Sequence, residues 1–208
     1  MHIAHLIERV PSLRYMQASL DAALTLLEQA ARNGNTIFLC GNGGSAADAE
    51  HICGELMKGF LLKRPLTPVQ KEKLAALGEE GRSLGSMLQR AIPAISLVAG
   101  VSLPTAFAND VAPVNVFAQQ LFGLGKQGDV LWALSTSGNS SNVLQAARVA
   151  QAFGMSILSM TGKDGGELKK LSHVLLNVPS TSTPEIQELH LPIYHALCAE
   201  LESKLFGV

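Results

Sequence analysis

The feature that most constrains this chain is a short apolar run that breaks into glycines. Thr36-Ile37-Phe38-Leu39-Cys40 leads straight into Gly41-Asn42-Gly43-Gly44-Ser45, and helix-forming residues follow as far as Phe60. A buried parallel strand turns into a helix in this way. Gly41, Gly43 and Gly44 permit positive φ and close backbone approach, while the amides and dipole of the helix start point outward, so the turn suits an anion. Ser45 adds a hydroxyl. His51 and Glu55 lie four apart on one face of the same helix, an acid/base pair or a metal-binding pair. Two other readings stand beside this one. Glycines after a strand also make plain tight connections. Gly41, Gly43 and Ala46 also satisfy G-x-G-x-x-A, but the dinucleotide fingerprint wants an acid roughly twenty positions on, where Leu61-Leu62-Lys63-Arg64 stands. No nucleotide cofactor is expected, and the absence of G-x-x-x-x-G-K-[ST] argues against a P-loop nucleotidase.

Along the chain, apolar residues at helical spacing predict a long amphipathic helix from Ser12 to Arg32, stopped by Asn33-Gly34. Strands are expected at the opening run, at Ile92 to Ala99, Val130 to Leu134, Met155 to Met160 and Val174 to Val178. Helices are expected from Val143 to Phe153 and from Pro184 to about Phe206, the last one interrupted and bent at Pro192. Arg64 to Arg90, with prolines at its start and Gly78 and Gly81 in its middle, reads as two short helices joined by a glycine turn. That segment is expected to be an insertion at about 64–90 in a single domain spanning 1–208, either a solvated hairpin or a lid. Strands alternating with helices specify an α/β fold, a parallel sheet with helices on both faces and right-handed crossovers. Ligands of such sheets bind beyond the carboxyl ends of the strands.

Charge decides which partners are unsuitable. A formal net charge of −1, with 16% charged residues, leaves no electrostatic footprint for nucleic acid. Ala91 to Asn109 carries no charge and approaches a membrane span in length, but Pro93, Gly100, Ser102 and Pro104 interrupt it. No membrane partner is expected. Cys40, Cys53 and Cys198 show no C-x-x-C spacing, and no targeting segment is visible, so a reduced cytoplasmic setting is the expectation.

A second cluster gathers at the end of the third strand. Ser135, Thr136, Ser137 and Ser140 place four hydroxyls within six positions, with Ser140 suited to cap the next helix. Such a loop can surround a phosphate with neutral donors, although a polar turn is the plainer explanation of any one of them. No G-x-S-x-G elbow occurs, which argues against a serine hydrolase.

Five motifs together, Gly41-Asn42-Gly43-Gly44-Ser45, Asn109-Asp110, Ser135-Thr136-Ser137-Gly138-Asn139-Ser140, Thr161-Gly162-Lys163-Asp164-Gly165-Gly166 and Ile186-Gln187-Glu188-Leu189-His190, resemble the sugar isomerase (SIS) domain. Within it they are most similar to the phosphoheptose isomerases, which convert sedoheptulose 7-phosphate to D-glycero-D-manno-heptose 7-phosphate. The resemblance implies a five-stranded parallel sheet in a flavodoxin-like three-layer sandwich, a homotetramer, and active sites between subunits. It further implies that Ser45, Ser135, Thr136, Ser137 and Ser140 hold the sugar phosphate, with Gly43 and Gly44 in the turn. Asn42, Asn109, Asp110 and Gln187 would then contact the sugar. His51, Glu55, Gln187 and His195 match positions that act as catalytic residues or zinc ligands.

The chemistry agrees in kind. Moving a carbonyl between C1 and C2 needs a base that carries a proton between adjacent carbons through an enediol, and a second group for the hydroxyl proton. Glu55 suits the first task and His195 the second. Zinc is a candidate cofactor, but Gln187 and His195, eight apart, differ by about 12 Å along a straight helix. Glutamine is also a poor zinc ligand. His190 reads as a packed core or interface histidine. Glu185 stands where relatives often have arginine. A non-catalytic SIS protein that binds a replication initiator or senses a sugar phosphate is the alternative, and the presence of both Glu55 and His195 favours the enzyme.

Overall fold

The computed structural model describes residues 1–207. Five parallel strands, β1 (Ile37–Cys40), β2 (Ala94–Ser96), β3 (Val130–Leu134), β4 (Ser156–Thr161) and β5 (Val174–Asn177), form one sheet in the order β2-β1-β3-β4-β5. Around it lie α1 (His2–Arg9), α2 (Gln17–Arg32), α3 (Gly44–Met57), α4 (Pro68–Ala75), α5 (Glu79–Met87), α6 (Ser102–Asp110), α7 (Val116–Leu124), α8 (Ser141–Ala152) and α9 (Thr183–Phe206). The strand order reverses between β1 and β3, so that crevice is the topological switch point where ligands of open α/β sheets bind.

Alternation along each strand divides the core in two. Ile37 and Leu39 join Trp132, Leu158 and Leu176 beneath α1, α2, α3 and α9. Phe38 and Cys40 face the other way, into Leu131, Ala133 and Ile157 beneath α7 and α8. Burial holds the Cys40 thiol up at about 12, so it stays protonated and packs as a small apolar group.

The structure corrects several boundaries. The second strand keeps only Ala94–Ser96 of the expected Ile92 to Ala99. It is an edge strand with β1 as its one neighbour, and Pro93 has no amide to donate. The helix expected from Ser12 begins as a 3-10 stretch over Pro11–Met16 and becomes α-helical at Gln17. α3 stops at Met57, short of Phe60. α9 runs unbroken through Pro192. Sequence periodicity did not pick out α1, which buries Ile3, Leu6 and Ile7, or α7. The segment 64–90 is a helical hairpin as expected, with Gly78 at φ +86° in its turn. Among the described residues no helix is long and apolar enough to cross a membrane.

Candidate active site

The carboxyl ends of β1, β3 and β4 meet in three loops. After β1, Gly43 adopts φ +56° and α3 starts at Gly44, with Ser45 only 3% exposed. A helix start leaves its first amides without intrahelical acceptors, which suits this turn to an anion. Gly44 leaves room for a close approach: a Cβ there would stand 2.5 Å from Gln187 Nε2, the far end of a flexible side chain. Gln187, on the first turns of α9, therefore lies directly against the turn.

The serine loop after β3 is held by its neighbour after β4. Gly162 N donates to the Thr136 carbonyl (2.8 Å), Leu168 N to that of Gly138 (3.0 Å), and Glu167 N to Asn139 Oδ1 (3.0 Å). Gly138, at φ +66°, packs so tightly that a Cβ would lie 2.1 Å from the Gly165 carbonyl oxygen. Ser140 stands at the N-cap of α8, but its hydroxyl does not cap the helix. It pairs instead with Ser135 Oγ at 2.9 Å. The two loops are joined across the switch point by Asn42 and Asn142, whose amides exchange two hydrogen bonds of 2.9 Å each. Asn142 was not picked out from the sequence, and nothing in its spacing marks it.

These loops open onto two hollows. One, of about 270 Å³, is lined by Thr136, Ser137, Lys163 and Ile186. The other, of about 550 Å³, is lined by Asn42, Ser140, Asn142 and the Pro113-Val114 stretch. Asn109 and Asp110 stand exposed at the end of α6, just before that stretch, and bond to each other at 2.8 Å.

α3 and α9 run side by side in the same sense. Gln187 faces Gly44, Tyr194 and His195 face His51, and Glu202 meets the residues just beyond α3. His51 Nε2 lies 3.2 Å from Glu55 Oε1, and Lys58 Nζ lies 3.1 Å from Glu55 Oε2. On its other side His51 Nδ1 is 3.0 Å from the hydroxyl of Tyr194, which donates to Asp48 Oδ1 at 3.2 Å. Asp48, His51 and Glu55 occur at i, i+3 and i+7 of one helix face, so spacing alone could have added Asp48. Burial and the nearby Asp48 charge push the Tyr194 phenol up, so it remains a donor; burial likewise raises Asp48.

The ring of His195 lies 5.0 Å from that of His51 and 5.6 Å from that of Phe60. Its Nε2 is buried without a partner. Burial, then the neighbouring His51 charge, hold its pKa below the usual histidine range against the pull of Glu55. His195 also lines a cleft of about 160 Å³ with His2, His5, Arg9, Phe60 and Pro192. In one chain this cleft is separate from the two hollows of the serine loop.

The residues expected to bind zinc are divided in the same way. His51, Glu55 and His195 offer the nitrogen and carboxylate donors zinc takes, and the bare His195 Nε2 suits a ligand. Gln187 sits at the other end, by Gly44. Among the described residues no three His, Cys, Asp or Glu side chains are grouped to hold an ion. His190 is fully buried, with Nε2 3.2 Å from the Thr161 carbonyl.

With this geometry in place, the chain can be set beside known proteins. A family model for the SIS domain matches residues 2–75 and 77–162. A phosphoheptose isomerase of Helicobacter pylori (strain P12) is 40% identical, over 96% of this chain and 91% of its own length. One from Shewanella frigidimarina is 36% identical, over 95% and 89%. The solved phosphoheptose isomerase of Neisseria gonorrhoeae superposes with a TM-score of 0.75 at 32% identity, covering 97% of this chain and 95% of that one. Fold, loops and relatives agree: the chain belongs to the SIS domain family, among the phosphoheptose isomerases.

Proposed function

We propose that the chain is an aldose-ketose isomerase that converts sedoheptulose 7-phosphate to D-glycero-D-manno-heptose 7-phosphate. The carrying observation is α3 itself, which begins at an anion seat and, further along, presents Glu55 beside His51, with His195 packed on the same imidazole. Ser45, Ser135, Thr136, Ser137 and Ser140 hold the phosphate through neutral donors. Asn42, Asn109, Asp110 and Gln187 contact the sugar.

Glu55 removes the proton from C1 of the ketose as the carbonyl electrons at C2 move onto oxygen, giving the enediol. It then returns the proton to C2 while the carbonyl forms at C1. His195, neutral near pH 7 because its pKa is lowered, moves the hydroxyl proton between O1 and O2. The separation of the serine-loop hollows from the His195 cleft supports a site completed by another copy of the chain, and a homotetramer is the assembly proposed. The proposed zinc ligands His51, Glu55, Gln187 and His195 are not gathered in one chain, so they would hold the ion only with side-chain movement or a contribution from another copy; when bound, zinc would polarise the sugar carbonyl. A cytoplasmic setting is proposed with the reaction, since its substrate is a phosphorylated sugar.

Exchange of the C1 proton of sedoheptulose 7-phosphate in deuterated water tests the reading. Glu55→Gln and His195→Gln are each expected to lower exchange by about 10²–10⁴-fold with sugar-phosphate binding kept. Repeating the assay after chelation, with zinc content measured on the same sample, tests the metal set. Binding without exchange in the unmodified protein would leave a sensor or scaffold.

A further inference from the structure

One buried ion pair lies outside the machinery just described, yet it touches both of its halves. Arg64 and Glu202 are each fully buried, with Arg64 Nε donating to Glu202 Oε1 at 2.7 Å. Replacing a buried pair with apolar side chains of similar volume is often neutral or stabilising, so stability alone is a weak reason for such a pair. What distinguishes this one is where its remaining hydrogen bonds go.

Arg64 donates through Nη1 to the Leu56 carbonyl (2.7 Å) and through Nη2 to the Glu55 carbonyl (3.1 Å). These are among the carbonyls a helix leaves unsatisfied at its C-terminal end, where a cation also complements the dipole. The guanidinium thereby caps α3 at the residue that carries the carboxylate. Glu202 accepts from the amides of Phe60 (2.8 Å), Leu61 (2.7 Å) and Leu62 (2.9 Å), and the Phe60 ring packs on His195. Burial works to raise the Glu202 carboxyl, but those amides and Arg64 outweigh it and hold it below the usual range. The guanidinium also lies over the Phe206 ring, 4.8 Å from its centre. The root of the α4–α5 hairpin closes on the same point, with Arg90 N bonded to the Arg64 carbonyl and Gln89 Oε1 to Gly59 N.

We propose that Arg64 and Glu202 are positioning residues for the isomerase reaction, a brace that fixes the end of α3 bearing Glu55 relative to the Phe60–Leu62 segment that supports His195. The proposal rests on the assignment of Glu55 and His195 to proton transfer. It also gives the hairpin a role at its root, as part of the brace. Because the phosphate seat lies at the opposite end of α3, loosening the brace should spoil proton transfer and leave binding intact.

The test is steady-state isomerisation of sedoheptulose 7-phosphate by the full chain and by Glu202→Gln, Arg64→Lys and Gly78→Ala, each with a thermal melt. Glu202→Gln keeps shape and loses charge; Arg64→Lys keeps charge and loses the planar fork. Both are expected to fold and to lose about 10–100-fold in kcat, the scale of a small misplacement of reacting groups, with KM changed by less than about threefold. Gly78→Ala, at an exposed turn away from the pair, sets how much activity follows stability alone. A folded Glu202→Gln or Arg64→Lys with normal kcat would overturn the brace, and so would a loss that tracks Tm as Gly78→Ala does. If Glu202→Gln fails to fold, Arg64→Lys carries the same two outcomes. Absence of turnover in the unmodified chain would instead sink the isomerase reading, and the brace with it.

Discussion

At the scale of single residues, Gly44 shows how a missing side chain can be functional. Its α carbon needs no unusual φ, so Gly44→Ala faces only the far end of Gln187, a flexible side chain that can swing away. The fold is expected to survive within about 1 kcal/mol, since alanine suits a helix start better than glycine. The displaced Gln187 would lose its place beside the anion turn, raising KM for the sugar phosphate by up to about tenfold, the worth of a hydrogen bond. A urea melt and a KM measurement on the same variant separate the two effects. Gln187 itself was legible in the sequence through its motif. Its contact with Gly44 was not, because no spacing rule relates positions on two different helices. The same limit hid Tyr194, Asn142 and the Arg64–Glu202 pair, whose partners lie from 100 to 143 residues away.

Among the elements, the strands and the loops that follow them were the legible part. Hydrophobic runs ending in glycine or serine clusters located all five strands, because a doubly covered sheet demands continuous apolar stretches. Two helices went unread for different reasons: α7 spans nine residues that are apolar on most sides and so show little alternation, whereas Ile3, Leu6 and Ile7 of α1 stand at i, i+3 and i+4, a helical spacing that was there to be read. Two glycines in positive-φ turns make the contrast between a bend and a packed junction measurable. A Cβ on Gly78 meets nothing, so Gly78→Ala costs backbone strain alone, about 1 kcal/mol. At Gly138 the obstacle is the Gly165 carbonyl, which is backbone and cannot rotate aside. Gly138→Ala is expected to cost at least twice as much and to raise KM by pulling the serine loop off its neighbour. Chemical denaturation of both variants, with KM for the sugar phosphate, checks the difference.

For the molecule as a whole, one buried imidazole sets part of the acid limit. Burial holds the His190 pKa down to about 4, against the Thr161 carbonyl that favours its protonation. The unfolded chain takes up this proton near 6.5 and the folded chain only near 4. Stability from this group is therefore complete above about pH 6.5 and is lost as pH falls toward 4, by on the order of 3 kcal/mol. Replacing it, as in His190→Gln, is expected to flatten stability over that window, read from urea melts at a series of pH values.

The placement of Glu55 on the same helix as the anion turn carries one more consequence. Ten residues separate Ser45 from Glu55, about 15 Å along the axis, and the glutamate side chain leans back toward the start and shortens the gap. α3 thus fixes the spacing between the proposed phosphate seat and the proposed base: a sugar phosphate gripped at its start meets Glu55 of the same helix only by spanning that distance, and a shorter one must be met by a carboxylate from another copy of the chain.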